Sequence, residues 1–168
     1  MTLHAVSDED IHLQLIYDTP NDPFQQDATG ADVDLHFLHS NAMGSWNSDN
    51  WDCYWQRQTQ DWGQPRQTVN GVPTGYDDDP SLDRDDVDGL GPENINLDNP
   101  ENGISYGIGV HYFTDHGYGS SYATVRVYIG GVLKAEYPRQ RLTDQQFWHV
   151  ADIAWPSGNI MQINTISF

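Results

Sequence analysis

Apolar and polar residues that alternate at a period of two constrain this fold more than any other feature of the sequence. Segments 104–113 and 122–129 are the clearest cases, because their apolar side chains fall on one face of an extended chain. Those residues are Tyr106, Ile108, Val110 and Tyr112 in the first segment, and Ala123, Val125, Val127 and Ile129 in the second. No stretch carries a long helical period, so the sequence predicts an all-β fold.

Glycines mark two further features of these strands. Gly130-Gly131 follows the second segment and is a two-residue turn that tolerates positive φ twice, which predicts a hairpin with 132–137. Gly107 and Gly109 lie on the face opposite Tyr106, where missing side chains predict close approach by another strand or loop.

The chain is predicted to form a single domain over residues 1–168. Segments 11–15, 32–37, 147–155 and 160–168 add strand signals, which gives an antiparallel, jelly-roll-like β-sandwich of about eight strands. Residues 40–103 hold most of the Trp, Asn, Gln, Pro and Asp and show little periodicity. We expect this long structured insertion to be ordered by its aromatic residues or by a bound ion.

The charge restricts the partners. The chain has 25 acidic and 7 basic residues, a formal net charge of −18. Binding to nucleic-acid phosphates or to anionic membranes needs Lys and Arg, so the charge disfavours both partners. No segment reaches the roughly 18 apolar residues of a membrane span, so membrane insertion is not expected.

Aspartates in the segment around residues 77–93 predict a Ca²⁺ site. Calcium takes six to eight oxygen ligands, and the pattern Asp83-x-Asp85-x-x-Asp88-Gly89 has the alternation and the flexible glycine of calcium loops. It is not an EF-hand, because Val87 occupies its fifth position. The other candidate ligands here are Asp77, Asp86 and Glu93. A solvated acidic loop that binds no metal is the alternative.

A second group of candidate ligands lies on the strand that contains Asp32, Asp34 and His36. Asp32 and Asp34 are predicted to meet the acidic segment in one composite site or two close sites. His36 raises the alternative of zinc, but oxygen ligands dominate and no His-x-x-x-His or paired Cys spacing is present. The single cysteine, Cys53, is predicted to be a buried apolar side chain.

Several aromatic residues are candidates for an exposed surface that binds a ligand. Aromatic faces stack on sugar rings, while Asp and Asn bond to the hydroxyls. The candidates are Trp46, Trp51, Trp55, Trp62 and Tyr118. No Gly-x-Ser-x-Gly elbow, phosphate loop or dinucleotide fingerprint is present, so an enzyme is not expected.

The sequence resembles the YfaP-like bacterial domains of unknown function. The matching segments span most of residues 11–159: 32–37, 51–55, 79–89, 91–95, 109–128 and 147–151. The resemblance implies an exported or cell-surface β-sandwich accessory domain, some relatives of which bind calcium. It supplies no substrate.

These observations favour a calcium-stabilised extracellular module that adheres to carbohydrate or to a cell-surface protein. The alternative is a structural subunit of a surface assembly or filament, in which the chain associates with itself through exposed strand edges. A polysaccharide hydrolase is the third hypothesis.

Overall fold

The computed structural model describes residues 9–25, 29–64, 68–70, 72–73, 78–84 and 90–168. One 3₁₀ turn, Ser40–Ala42, accompanies the strands. The strands are β1 Ile11–Asp18, β2 Asp32–His39, β3 Asp52–Cys53, β4 Thr68–Val69, β5 Val72–Pro73, β6 Ser81–Arg84, β7 Glu93–Leu97, β8 Ser105–Thr114, β9 Ser121–Ile129, β10 Val132–Leu142, β11 Phe147–Ala154 and β12 Asn159–Ser167.

Two antiparallel sheets of five strands form the predicted β-sandwich. The first sheet has the order β10-β9-β1-β7-β6, and the second has the order β12-β11-β8-β2-β3. A separate hairpin pairs β4 with β5. The all-β sandwich fold is therefore confirmed. The sheets contain ten strands rather than about eight because the aperiodic middle of the chain contributes short strands at their edges.

The hydrophobic core lies between the sheets and follows the predicted alternation. In β8, Tyr106, Ile108, Val110 and Tyr112 are buried, as are Ala123, Val125 and Val127 in β9. The predicted hairpin is also confirmed: β9 and β10 pair from Val132 opposite Ile129, and Gly130 and Gly131 both adopt positive φ. Cys53 is buried as expected, and burial raises the pKa of its thiol.

A buried carboxylate closes one open strand edge. β3 pairs with β2 only at Phe37 and Leu38, so the earlier residues of β2 have no strand beside them on that side in the described part of the chain. There the Leu35 N–H donates to Glu93 Oε2 at 2.7 Å. Glu93 is 1% exposed, so its carboxylate joins the two sheets at this edge through a charge-assisted hydrogen bond.

The described residues include no helix that is long and apolar enough to span a membrane.

Candidate functional site

The outer face of the second sheet carries polar and aromatic side chains where three strands lie side by side. Because side chains alternate, the residues between the core positions of β2, β8 and β11 point outward. Cross-strand pairing aligns them in rows: Asp34 with His111 and Phe147, His36 with Gly109 and His149, and Leu38 with Gly107 and Asp152.

Two glycines make room on this face for Trp46, which follows the 3₁₀ turn. A Cβ on Gly109 would lie 2.5 Å from Phe147 Cζ and 2.9 Å from Trp46 Cζ3, and a Cβ on Gly107 would lie 3.2 Å from Trp46 Cη2. Any side chain at Gly109 would therefore displace one of these rings. The close approach predicted at Gly107 and Gly109 is present, and a loop side chain makes it.

Trp46 is one wall of a cleft of about 230 Å³ on this outer face. The His149 ring meets the Trp46 ring edge-on, with 5.2 Å between centroids. His149 Nε2 lies 2.7 Å from Asp152 Oδ1, and both side chains are about a quarter exposed. Ser40 and Ser105 also line the cleft. The cleft thus pairs one apolar aromatic face with a carboxylate, an imidazole and hydroxyl groups.

A buried His–Asp pair holds the loop that carries Trp46. His36 Nδ1 lies 2.8 Å from Asp52 Oδ2, and neither side chain is exposed. The same Asp52 oxygen accepts the backbone N–H of Asn47 at 2.7 Å, one residue after Trp46. The His36 ring also stacks on Tyr54 at 4.7 Å between ring centroids. We infer that these contacts fix the position of the tryptophan wall.

His111 occupies the end of this face and is kept neutral by its surroundings. Burial lowers its pKa to about 4; the neighbouring His36 also lowers the value, and Asp144 partly opposes both. Its ring contacts Phe147 at 5.9 Å between centroids. His111 is therefore uncharged at neutral pH. It contributes a polar ring, but no positive charge, to this face.

A second, more acidic pocket of about 370 Å³ lies between the loop that contains Gln64 and the turn at 99–102. Asp78 and Glu101 both line it. Glu101 Oε1 lies 2.9 Å from Nε2 of the buried His39. His39 Nδ1 accepts the Asn41 N–H, so the proton sits on Nε2 and is donated to Glu101. Burial lowers the pKa of His39, although Glu101 opposes the shift.

The predicted aromatic set is dispersed over the molecule. The prediction for Trp62 is wrong. This side chain is 1% exposed and belongs to the core, so its ring is not part of a ligand surface. Trp46, Trp51, Trp55 and Tyr118 are partly exposed. No ring contact joins them to one another; Trp51 packs on His39 and Trp55 on Phe113.

The predicted metal ligands divide into four groups. Asp32 and Asp34 lie on β2. Asp77, Asp85, Asp86 and Asp88 lie outside the described residues. Glu93 accepts the hydrogen bond from the Leu35 N–H at the edge of β2. Asp83 is exposed on β6, and its carboxylate accepts hydrogen bonds from the side chains of Ser81 and Asn96.

Asp83 and Asp34 do not meet. Asp83 bonds to Asn96 on the outer face of the first sheet, whereas Asp34 lies on the outer face of the second. The two carboxylates therefore lie on different sheets of the sandwich, and a composite site that uses both stays a prediction. Within the described ranges, no group of three or more His, Cys, Asp or Glu side chains could hold a metal ion.

Sequence reasoning missed His149 and Asp152 as functional candidates. The signal was present: His149 alternates with the outward-facing Phe147, and the segment 147–151 carries part of the family resemblance. Asp152 escaped notice because a bulge at residues 149–151 shifts the alternation and returns it to the face of His149.

No family model matches the sequence, and no curated protein does so either. A solved structure titled "Crystal structure of unknown function protein SAV2460" is similar, with 16% identity and a TM-score of 0.51 over 92% of this chain and 87% of that chain. At this identity the likeness shows the fold alone, and it agrees with the β-sandwich described above.

Proposed function

We propose that this chain is a binding module for carbohydrate and that it binds the sugar in the cleft beside Trp46. The observation that carries the proposal is that one indole ring and the His149–Asp152 pair line the same cleft of about 230 Å³. The proposed location, secreted or at the cell surface, rests on the resemblance to YfaP-like domains.

The chemistry of the cleft suits a sugar. One face of a pyranose ring is lined by C–H groups, which pack on an indole ring, while its edges carry hydroxyls. Asp152 can accept hydrogen bonds from those hydroxyls, and Ser40 and Ser105 can donate or accept. A lining of this size and mixture fits one or two sugar units better than a wholly apolar ligand.

A glycan array, run with Ca²⁺ and again with EGTA, tests the proposal. We expect binding to at least one glycan, with at least tenfold weaker affinity in Trp46→Ala. Trp55→Ala is the matched control, because Trp55 is also a partly exposed indole but packs on Phe113, outside the cleft lining. Absence of glycan binding both with Ca²⁺ and with EGTA would refute the carbohydrate proposal.

We also propose that Ca²⁺ stabilises the module through carboxylates of the acidic middle region. The support is the formal charge of −18 and the concentration of aspartates there, which would repel one another without a counter-ion. An ion that binds only the folded state adds about 2.7 kcal/mol at one hundred times its Kd. The melting temperature should rise in millimolar Ca²⁺ and fall with chelator; identical curves would refute calcium stabilisation.

A second candidate function, self-association in a surface assembly, is favoured by β12. This nine-residue strand borders only β11 in its sheet, and none of its residues is charged. Proteins commonly protect such edges with charge, and an uncharged edge can pair with a second copy. Light scattering should show concentration-dependent oligomers that Met161→Lys abolishes; monomers at all concentrations would exclude this function.

A further inference from the structure

The acidic pocket beside Gln64 contains a buried carboxylate oxygen that the protein leaves unpaired. Asp78 is 5% exposed, and its Oδ2 accepts the Gln64 N–H at 2.8 Å. Its Oδ1 is also buried, and it has no hydrogen-bond partner in the described part of the chain. A buried anionic oxygen without a partner is costly, so it indicates a ligand that the protein alone does not supply.

Glu101 brings a second carboxylate to the same pocket. The position that a Cβ on Gly63 would occupy is 3.0 Å from both the Asp78 carboxylate carbon Cγ and the Glu101 methylene Cγ, so the two side chains pass close to one another at Gly63. Among the described residues, His39 engages Oε1 of Glu101, and the Glu101 side chain is a third exposed. The other carboxylate oxygen is thus available to the pocket.

The described residues that line the pocket carry negative charge without a basic side chain among them. His39 accepts the Asn41 N–H at Nδ1, so this imidazole is in its neutral form when Nε2 donates to Glu101. Two negative charges in a partly enclosed space therefore favour a cation.

We propose that this pocket binds one hydrated Ca²⁺ ion through Asp78 and Glu101. The pocket offers amide oxygens of Gln64, Asn99 and Asn102, and a volume of about 370 Å³ leaves room for water ligands. A mixed shell of carboxylate, amide and water oxygens is the donor set of calcium, whereas zinc would need nitrogen or sulfur ligands. Both ring nitrogens of His39 are already hydrogen-bonded.

This inference deepens the calcium part of the proposed function, and it names two ligands outside the set predicted from the sequence. It does not depend on carbohydrate binding. The calorimetric test below contains no saccharide, so a failure of the Trp46 cleft to bind glycans would leave its result unchanged.

Titration of chelator-treated protein with CaCl₂, followed by calorimetry, tests the site. We expect at least tenfold weaker binding in Asp78→Asn and in Glu101→Gln, and an unchanged affinity in Asp49→Asn. Asp49 is the matched control, because its substitution removes the same charge from a side chain that is 76% exposed. If Asp78→Asn folds poorly, the calcium affinity of Glu101→Gln, at the more exposed side of the pocket, tests the site by itself.

The melting temperature without calcium separates a cation site from a merely structural carboxylate. Asp78→Asn removes an unpaired buried charge, so without calcium the variant should melt at or above the wild-type temperature and gain nothing when calcium is added. Equal calcium affinity in all variants, or a loss confined to Asp88→Asn in the acidic segment, would overturn the assignment.

Discussion

Glu93 illustrates how one residue can have a role different from the one its sequence context predicts. Its place after the Asp-rich segment marks it as a calcium ligand, yet its Oε2 accepts the Leu35 N–H from the opposite sheet. Side-chain type and spacing carry no information on which backbone edge a carboxylate will face. The buried N–H at Leu35 exists only because β3 is too short to cover β2.

Replacing Glu93 should therefore change stability without changing the response to calcium. We expect Glu93→Ala to lower the free energy of unfolding by about 2 kcal/mol, because it leaves a buried N–H unpaired. Glu93→Gln keeps an acceptor oxygen and should lose less. Urea unfolding in EGTA and in Ca²⁺ measures both. A calcium increment that disappears in Glu93→Gln would instead identify Glu93 as a metal ligand.

His111 predicts a specific loss of stability in acid. Its pKa is about 4 in the folded protein and about 6.5 when unfolded, so the unfolded chain alone binds the proton between those values. The free energy of unfolding should reach its highest value above pH 6.5 and should fall as the pH drops to 4. The contribution of His111 to this fall is at most about 3 kcal/mol.

Urea unfolding at pH 7.5, 6 and 5 checks the contribution of His111. His111→Gln should flatten the pH dependence because no titrating group remains at that position. His116→Gln, at an exposed position, should leave it as in the wild type. Equal slopes in all three proteins would contradict the assignment.

At the scale of strands, the sequence was informative wherever one face is buried and the other is not. β1 alternates in composition and in burial, and β8 and β9 alternate in composition although residues 106–110 and 123–125 are buried on both faces, so period-two reasoning found all three strands. β7 was missed, although four of its five residues are buried, because Glu93 and Asn96 interrupt its apolar pattern. Pairing with β1 and β6, which the sequence does not reveal locally, covers Asn96 on the outer face, while Glu93 shares the inner face of Ile95.

Gly107 and Gly109 of β8 should differ in how well they tolerate a side chain. Gly109→Ala should destabilise the fold by about 1–3 kcal/mol, because its Cβ would overlap the rings of Phe147 and Trp46. Gly107→Ala should cost less, since its nearest contact is 3.2 Å. Thermal unfolding of the two variants compares them. A Gly109→Ala protein as stable as the wild type would mean that neither ring is held on this face.

For the whole molecule, the sandwich separates functions that the sequence placed together. Asp83 and Asp34 are on opposite outer faces, the Trp46 cleft is on the second sheet, and the Asp78 pocket lies beside the turn at 99–102. Composition identified the kinds of side chain, acidic and aromatic. It could not assign them to faces, because long-range pairing across the aperiodic middle determines which side each residue reaches.

We propose that the cleft beside Trp46 holds a carbohydrate, and NMR of the indole N–H groups is the sharpest test of that proposal. The chain has six tryptophans, so six indole signals can be assigned by substitution. Titration with the glycan that binds best on the array should shift the Trp46 signal most, and leave the buried Trp62 unmoved. If saturation with the glycan shifts the indole signal of Trp51 or Trp55 and leaves that of Trp46 unchanged, the cleft beside Trp46 is not the binding site.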